Sequence, residues 1–131
     1  MGTLRKYEPS ITDSDIDPLY KRVRWDVILR WYREAHEAYF RDVHLDFGSL
    51  HERGYGVVIR SDAHDRRLPI QRDDSPVVLT RVESIGKSSF AYTQAVVLGD
   101  KLAVKSNIVS VLLKQELPTP IPQDIRSKLE S

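Results

Sequence analysis

The segment Val27-Ile-Leu-Arg-Trp-Tyr-Arg-Glu-Ala-His-Glu-Ala-Tyr-Phe-Arg-Asp-Val43 decides the class of fold, because a long run of β-rich sequence follows it. Its apolar residues recur at helical spacing and most of its charged residues fall between them, which predicts an amphipathic helix from about residue 27 to 43. The aromatic stripe of Trp31, Tyr39 and Phe40 is expected to form the buried face of this helix. Asp26 stands where an N-cap residue would stand.

Four β-rich stretches come after the helix, at residues 56–65, 75–85, 88–98 and 101–113. The pairs Gly86–Lys87 and Gly99–Asp100 separate the last three stretches and predict hairpin turns. A short helical turn closed by Gly54 is expected at residues 46–54. The prolines from Leu117 to Pro122 lack amide donors, which excludes this segment from the centre of a sheet, and a short terminal helix is expected at residues 123–129.

The chain before the helix divides into two parts. Residues 1–19 are polar and are predicted to be a loosely held leader, and residues 20–131 are predicted to form one domain. From Tyr20 to Trp25 apolar and basic residues alternate, which predicts a first short strand. One strand, one long helix and then a run of antiparallel strands is the order of an α+β fold in which a curved sheet wraps around a single central helix.

The composition excludes several classes of protein. The 131 residues, of which 40% are hydrophobic, suffice for one compact core. A net charge of +1 gives no general attraction to nucleic acid or to an anionic membrane. Because there is no cysteine, a disulfide framework, a thiolate nucleophile and a cysteine-ligated metal are excluded. The sequence shows no secretory segment and no long uncharged apolar run, so we expect a cytoplasmic protein without a membrane span.

Five segments carry a resemblance to a known family: Arg22-Val-Arg-Trp25, Ile28-Leu-Arg-Trp-Tyr-Arg-Glu-Ala-His36, Gly56-Val-Val-Ile59, Arg81-Val-Glu-Ser-Ile-Gly-Lys-Ser-Ser-Phe90 and Leu117 to Pro122. In their order and spacing they resemble the 4-hydroxybenzoyl-CoA thioesterase-like branch of the hotdog superfamily, from Tyr20 to Leu129. The resemblance implies a hotdog fold and an enzyme that hydrolyses acyl thioesters. It implies no cofactor, because the coenzyme A moiety belongs to the substrate.

One part of the family pattern is missing. The family has a loop with the catalytic Asp, and a glycine-rich helix start, between its first strand and its helix. In this chain only Asp26 and Val27 separate Trp25 from the helix. Two explanations fit this pattern: the connection is truly short, or the protein has a mobile loop here that the printed sequence leaves out.

Two carboxylates of the helix are the catalytic candidates. Thioester hydrolysis needs a carboxylate that attacks the carbonyl carbon or activates water, together with donors that stabilise the oxyanion. Asp26 is the carboxylate nearest the helix start, and an ordinary N-cap is the alternative interpretation. Glu34 occupies the position of a helix glutamate in the family and could line the acyl pocket; a solvated or helix-paired glutamate is its alternative.

A predicted turn supplies the candidate binding residues for coenzyme A. Lys87, Ser88 and Ser89 match the family's turn that contacts the pantetheine arm and the nucleotide phosphates, although a lysine in a tight turn is often only solvent-exposed. A separate basic cluster could add to a phosphate site or simply keep a loop soluble; its members are Arg66, Arg67 and Arg72.

The histidines do not predict a metal site. His36 stands where the family usually has Arg and is interpreted as a structural residue. His44, His51 and His64 show no spacing with acidic partners that would hold a metal ion, so we expect none.

Two functions remain open at this point. The first is a thioesterase that acts on an acyl-CoA or on an acyl group carried by a protein phosphopantetheine arm. The second is a hotdog protein that binds acyl thioesters, or only assembles, without turnover. In either case the resemblance implies a homodimer or homotetramer, since hotdog domains pair their sheets edge to edge.

Overall fold

The computed structural model describes residues 2–131, which form one curved sheet and three helices. The helices are α1 (Trp25–Asp42), α2 (Phe47–Glu52) and α3 (Gln123–Glu130). The strands are β1 (Arg5–Tyr7), β2 (Tyr55–Arg66), β3 (Val77–Ile85), β4 (Ser89–Leu98), β5 (Lys101–Lys114) and β6 (Leu117–Pro118). The predicted helices and the four predicted long strands are confirmed, with ends that differ by two residues or fewer.

The sheet is antiparallel, with the strand order β1-β3-β4-β5-β2 and with β6 paired to the end of β5. The turn between β4 and β5 is tight because Gly99 adopts a φ of +64°, a left-handed conformation that side chains other than glycine's rarely tolerate. Strand β2 pairs with β5 along nearly its whole length and lies at one edge of the sheet. The long strand β2 therefore has one edge that is not covered by another strand within residues 2–131.

Helix α1 packs on one face of the sheet and supplies the centre of the core. Trp31, Tyr39 and Phe40 are each 2% exposed or less, so the predicted buried stripe is confirmed. The burial of a large aromatic side chain stabilises the fold by about 3 kcal/mol. Gln94 on β4 is also buried, and its amide nitrogen donates to the backbone carbonyl of Tyr32 at 2.9 Å and to the hydroxyl of Thr80 at 3.1 Å.

The predicted first strand at residues 20–25 is wrong. Only Val23 makes a β-bridge there, with Ile16, and Lys21 has a φ of 59°. The Asp17 carboxylate accepts hydrogen bonds from the backbone N–H groups of Leu19, at 2.8 Å, and Tyr20, at 3.0 Å. These bonds hold a turn in place of an extended strand.

The predicted leader contributes to the sheet. Strand β1 at Arg5–Tyr7 pairs with residues Val78–Thr80 of β3, so this part of residues 1–19 is not a loosely held leader. Tyr7 also donates a hydrogen bond from its hydroxyl to Glu34 of α1 at 3.0 Å.

Helix α1 starts directly after the turn. The backbone carbonyl of Arg24 accepts hydrogen bonds from the amides of Val27 at 3.1 Å and Ile28 at 3.3 Å. Because β1 is the first strand, residues 8–24 connect it to α1, so the short connection expected from the sequence is wrong. Arg24, rather than Asp26, is the N-cap residue, and Asp26 lies in the first turn of the helix. The N-cap interpretation of Asp26 is therefore wrong. Among residues 2–131, no helix is long and apolar enough to cross a membrane.

Candidate functional site

A cleft of about 370 Å³ lies between helix α1 and the strands β2, β4 and β5. One wall is helical and the other belongs to the sheet. Its lining residues are Asp26, Leu29, Arg30, Tyr32, Arg33, His36, Ile59, Asp62, His64, Tyr92, Gln94 and Ile108. The cleft thus combines apolar side chains with a few polar groups, as small-molecule sites commonly do.

A chain of four polar side chains runs from the cleft wall into the core. The Asp62 carboxylate lies 2.9 Å from Nε2 of His64, and Nδ1 of His64 lies 2.6 Å from the hydroxyl of Ser106. The Ser106 hydroxyl in turn lies 2.9 Å from that of Tyr32. Contacts at both ring nitrogens fix the orientation of the imidazole.

Burial keeps the inner end of this chain protonated. Desolvation raises the pKa of Tyr32 to about 12, so its phenol stays neutral and retains its hydrogen. Ser106 is fully buried, whereas the side chain of Asp62 is half exposed. This series of hydrogen-bonded side chains therefore has a buried inner end at Ser106 and a carboxylate at its outer end that a ligand can reach.

The ring of Trp25 also packs against the imidazole of His64. The two rings meet edge to face with their centroids 4.9 Å apart, and the guanidinium of Arg66 lies over the Trp25 ring at 4.5 Å. Asp62, His64 and Arg66 are spaced by two residues along β2, so they lie on the same face of the strand. Strand β2 thus aligns a carboxylate, an imidazole and a guanidinium.

His36 contributes a second imidazole to the cleft. Its ring packs against Phe40, Phe47 and Tyr92, with centroid distances of 4.6, 5.6 and 4.7 Å. Burial lowers the pKa of His36 to about 4, so the ring is neutral at physiological pH. Its buried Nε2 has no hydrogen-bond partner among the residues that the structure describes. A buried group of this kind favours a polar ligand atom.

The two catalytic candidates predicted from the sequence lie in different surroundings in the structure. Asp26 lines the cleft, with an exposed carboxylate that lies 3.1 Å from Nε of Arg24. Glu34 is not among the cleft residues; it accepts a hydrogen bond from Tyr7 and lies 3.4 Å from Nε of Arg30. The geometry therefore brings Asp26, and not Glu34, close to Asp62 and His64.

The predicted coenzyme A turn lies elsewhere. Lys87 and Ser88 connect β3 to β4, and Ser89 starts β4 opposite Val111 of β5. The backbone carbonyl of Lys87 accepts from the amide of Ile121 at 2.8 Å, and Lys87 itself is exposed. Their contact with coenzyme A stays a prediction.

Sequence reasoning missed Asp62, His64 and their buried partners. The signal for the first two was the spacing Asp62-Ala-His64 in a strand, which places both side chains on one face. Ser106 and Tyr32 had no comparable signal, because they approach His64 only in the folded chain. No group of three or more potential metal ligands occurs in residues 2–131.

The fold is that of known thioesterases. A 1,4-dihydroxy-2-naphthoyl-CoA thioesterase from Synechocystis superposes with a TM-score of 0.86 at 17% identity, over 97% of this chain and 96% of that one. A thioesterase from Thermus thermophilus, crystallised with coenzyme A and Zn, superposes with a TM-score of 0.80 at 27% identity, over 95% and 90% of the two chains. The curved antiparallel sheet around one helix is therefore the expected hotdog fold.

A family model also matches the sequence. The model of the thioesterase-like superfamily covers residues 11–129, so this chain belongs to that superfamily. The resemblance seen in the sequence is confirmed. No curated protein matches the sequence significantly.

Proposed function

We propose that this protein is a thioesterase that hydrolyses an acyl-CoA, or an acyl group on a carrier-protein phosphopantetheine arm, to the free acid and thiol. The observation that carries the proposal is the Asp62–His64 pair at the wall of the cleft, 2.9 Å apart. Membership of the thioesterase-like superfamily supports the reaction class. The Thermus thermophilus structure with coenzyme A supports the thiol carrier.

Asp62 acts as the general base in this proposal. Its carboxylate takes a proton from water as the water oxygen attacks the thioester carbonyl carbon. The carbon–sulfur bond then breaks, and the proton passes to the departing thiolate, which gives a carboxylic acid and a thiol. His64 holds the carboxylate in place through its Nε2–H, and Ser106 and Tyr32 hold the imidazole.

His36 stabilises the developing oxyanion. A neutral imidazole that carries its proton on Nε2 donates a hydrogen bond without placing a charge in the apolar part of the cleft. The lack of a protein partner for Nε2 in residues 2–131 and its burial support this assignment. The first turn of α1 adds the positive end of the helix dipole at the same wall of the cleft.

Asp26 is the alternative base. It lines the same cleft and is closer to the family's catalytic position in the sequence, but it is more exposed than Asp62 and is paired with Arg24. Asp62 is preferred because its partner His64 is 16% exposed and is itself held by Ser106 and Trp25, whereas the Arg24 side chain that contacts Asp26 is 38% exposed.

Binding without turnover is the second candidate function, since a cleft of about 370 Å³ with apolar and polar lining residues also suits binding alone. One assay separates the two functions: release of free thiol from a panel of aryl- and fatty-acyl-CoA thioesters by the purified protein. Release that saturates with substrate supports the enzyme. Saturable binding of the same thioesters without release above the uncatalysed rate would assign the protein to the binding class.

A further inference from the structure

A second cleft, of about 400 Å³, lies beside the first and has a basic lining. Its walls include Arg22 from the turn before α1, Arg66 from the end of β2 and Arg67 from the loop that follows. Apolar side chains complete the walls: Val23, Ile28, Leu68, Pro69, Ile70 and Val104. Three guanidinium groups around a concave surface favour a phosphorylated ligand.

Two of these arginines are available to a ligand. Within residues 2–131, neither Arg22 nor Arg66 forms an ion pair with a carboxylate. The lowered pKa of the nearby Asp17 carboxyl comes mainly from the amide of Tyr20 that donates to it, and only a small part comes from Arg22. Arg67 is paired with a neighbouring carboxylate at 2.8 Å. The positive charge therefore comes from the side chains of Arg22 and Arg66, with a smaller part from Arg67.

Arg66 is held in position by an aromatic contact. Its guanidinium lies over Trp25 at 4.5 Å, and Trp25 contacts His64 of the first cleft. Stacking on an aromatic ring fixes the plane of the guanidinium and leaves its N–H donors free. Such preorganisation reduces the entropy cost of anion binding.

Strand β2 joins the two clefts. Arg66 and Asp62 are four residues apart on one face of the strand, a separation of about 13 Å at 3.3 Å per residue. Beyond Asp62, the first cleft continues to Ile59 and Ile108. The face of β2 thus presents a cationic group, an acid–base pair and an apolar surface in one line.

We propose that the Arg22–Arg66 cleft binds the nucleotide phosphates of coenzyme A, so that the pantetheine arm runs along β2 to Asp62 and the acyl group lies against Ile59 and Ile108. This inference rests on the proposed function and narrows it to free acyl-CoA. A carrier protein presents a single phosphodiester, whereas coenzyme A presents a diphosphate and a 3′-phosphate that match more than one guanidinium.

The test is a calorimetric titration of the protein with coenzyme A and, separately, with pantetheine, which lacks phosphates. Coenzyme A should bind more tightly than pantetheine, and its affinity should fall as salt is raised. The double substitution of Arg22→Gln and Arg66→Gln should weaken coenzyme A binding by about tenfold or more and reduce the salt dependence. Pantetheine binding should not change.

Two controls make the result specific. Arg72→Gln removes a nearby arginine that is already paired with Asp13 at 2.7 Å and lies outside the cleft. Lys87→Ala removes the cation that the sequence predicts as the phosphate contact. Both controls should retain the affinity of the unsubstituted protein for coenzyme A. Since Arg22, Arg66, Arg72 and Lys87 are all exposed, each variant should fold.

The outcomes distinguish a failure of the proposed phosphate site from a failure of the proposed hydrolysis. Affinity lost in Lys87→Ala and retained in the Arg22/Arg66 variant would overturn the inference, as would equal binding of coenzyme A and pantetheine. Arginine-dependent binding without thiol release would leave the phosphate site standing and remove the proposed hydrolysis. Thiol release whose KM for acyl-CoA is unaffected by both arginine substitutions would leave the hydrolysis standing and remove the phosphate site.

Discussion

The carboxylate of Asp62 and Nε2 of His64 lie 2.9 Å apart on one face of strand β2, where Asp62 is half exposed and the side chain of His64 is 16% exposed. A side chain fixed on a strand can be held more precisely than one on a loop. This fixed arrangement suits the role of general base that we propose for Asp62.

Substitution of Asp62 is the direct test of this role. Asp62→Asn keeps the shape of the side chain and removes the base, so kcat for thioester hydrolysis should fall by about 10²–10⁴-fold with an unchanged melting temperature. Asp26→Asn, in the same cleft, is the matched control and should change kcat little. The reverse result, with activity lost only in Asp26→Asn, would return the catalytic role to the carboxylate at the helix start.

The elements could be predicted from the sequence because their patterns are local. The helical period of α1 and the glycine turns between β3, β4 and β5 are visible in short windows. The first strand was misplaced because strand β1 is identified by its distant partner, residues Val78–Thr80, and not by its own three residues. The turn at Asp17 was not predicted either, because the alternation of apolar and basic residues from Tyr20 to Trp25 is typical of a strand.

The site was only partly predictable for the same reason. Asp26 could be placed near the cleft from its position at the helix start. His64 meets Ser106 across 42 residues of sequence, and Ser106 meets Tyr32 across 74. No pattern within a window reports such pairings, since they depend on how β2, β5 and α1 pack together.

The buried imidazole of His36 should make stability depend on pH. Its pKa is about 4 in the folded protein, below the value of about 6.5 in an unfolded chain, so the unfolded state binds more protons between these values. Stability should therefore fall as the pH drops from about 6.5 to 4, by about 3 kcal/mol in total. Urea unfolding at several pH values across this range measures the change in the free energy of unfolding. In His36→Phe this part of the slope should disappear, and an unchanged slope would contradict a buried neutral ring.

Glu34 should prove structural. Its carboxylate accepts from the Tyr7 hydroxyl at 3.0 Å and lies near Arg30, which ties α1 to β1 away from the cleft. Glu34→Gln should leave kcat unchanged and lower the free energy of unfolding by about 1 kcal/mol or less, because the contacts are partly exposed. A loss of kcat with normal stability would instead support the catalytic role that the sequence suggests.

Assembly is expected to involve the free edge of β2. This strand has 12 residues, lies at the edge of the sheet and carries the exposed apolar side chains of Val58 (46%) and Ile59 (58%). A long edge with exposed apolar residues is a template for pairing, and pairing with a second copy would cover it in a closed, symmetric dimer. Sedimentation at micromolar concentration should therefore give the mass of two or four chains.

Val58→Lys should shift the distribution towards one chain, because a charged side chain on an edge strand opposes pairing. Leu19→Lys places the same charge at a residue that is 75% exposed and outside β2, so it should leave the mass unchanged. A single-chain mass for the unsubstituted protein would mean that β2 stays uncovered in solution and that each cleft is complete within one chain.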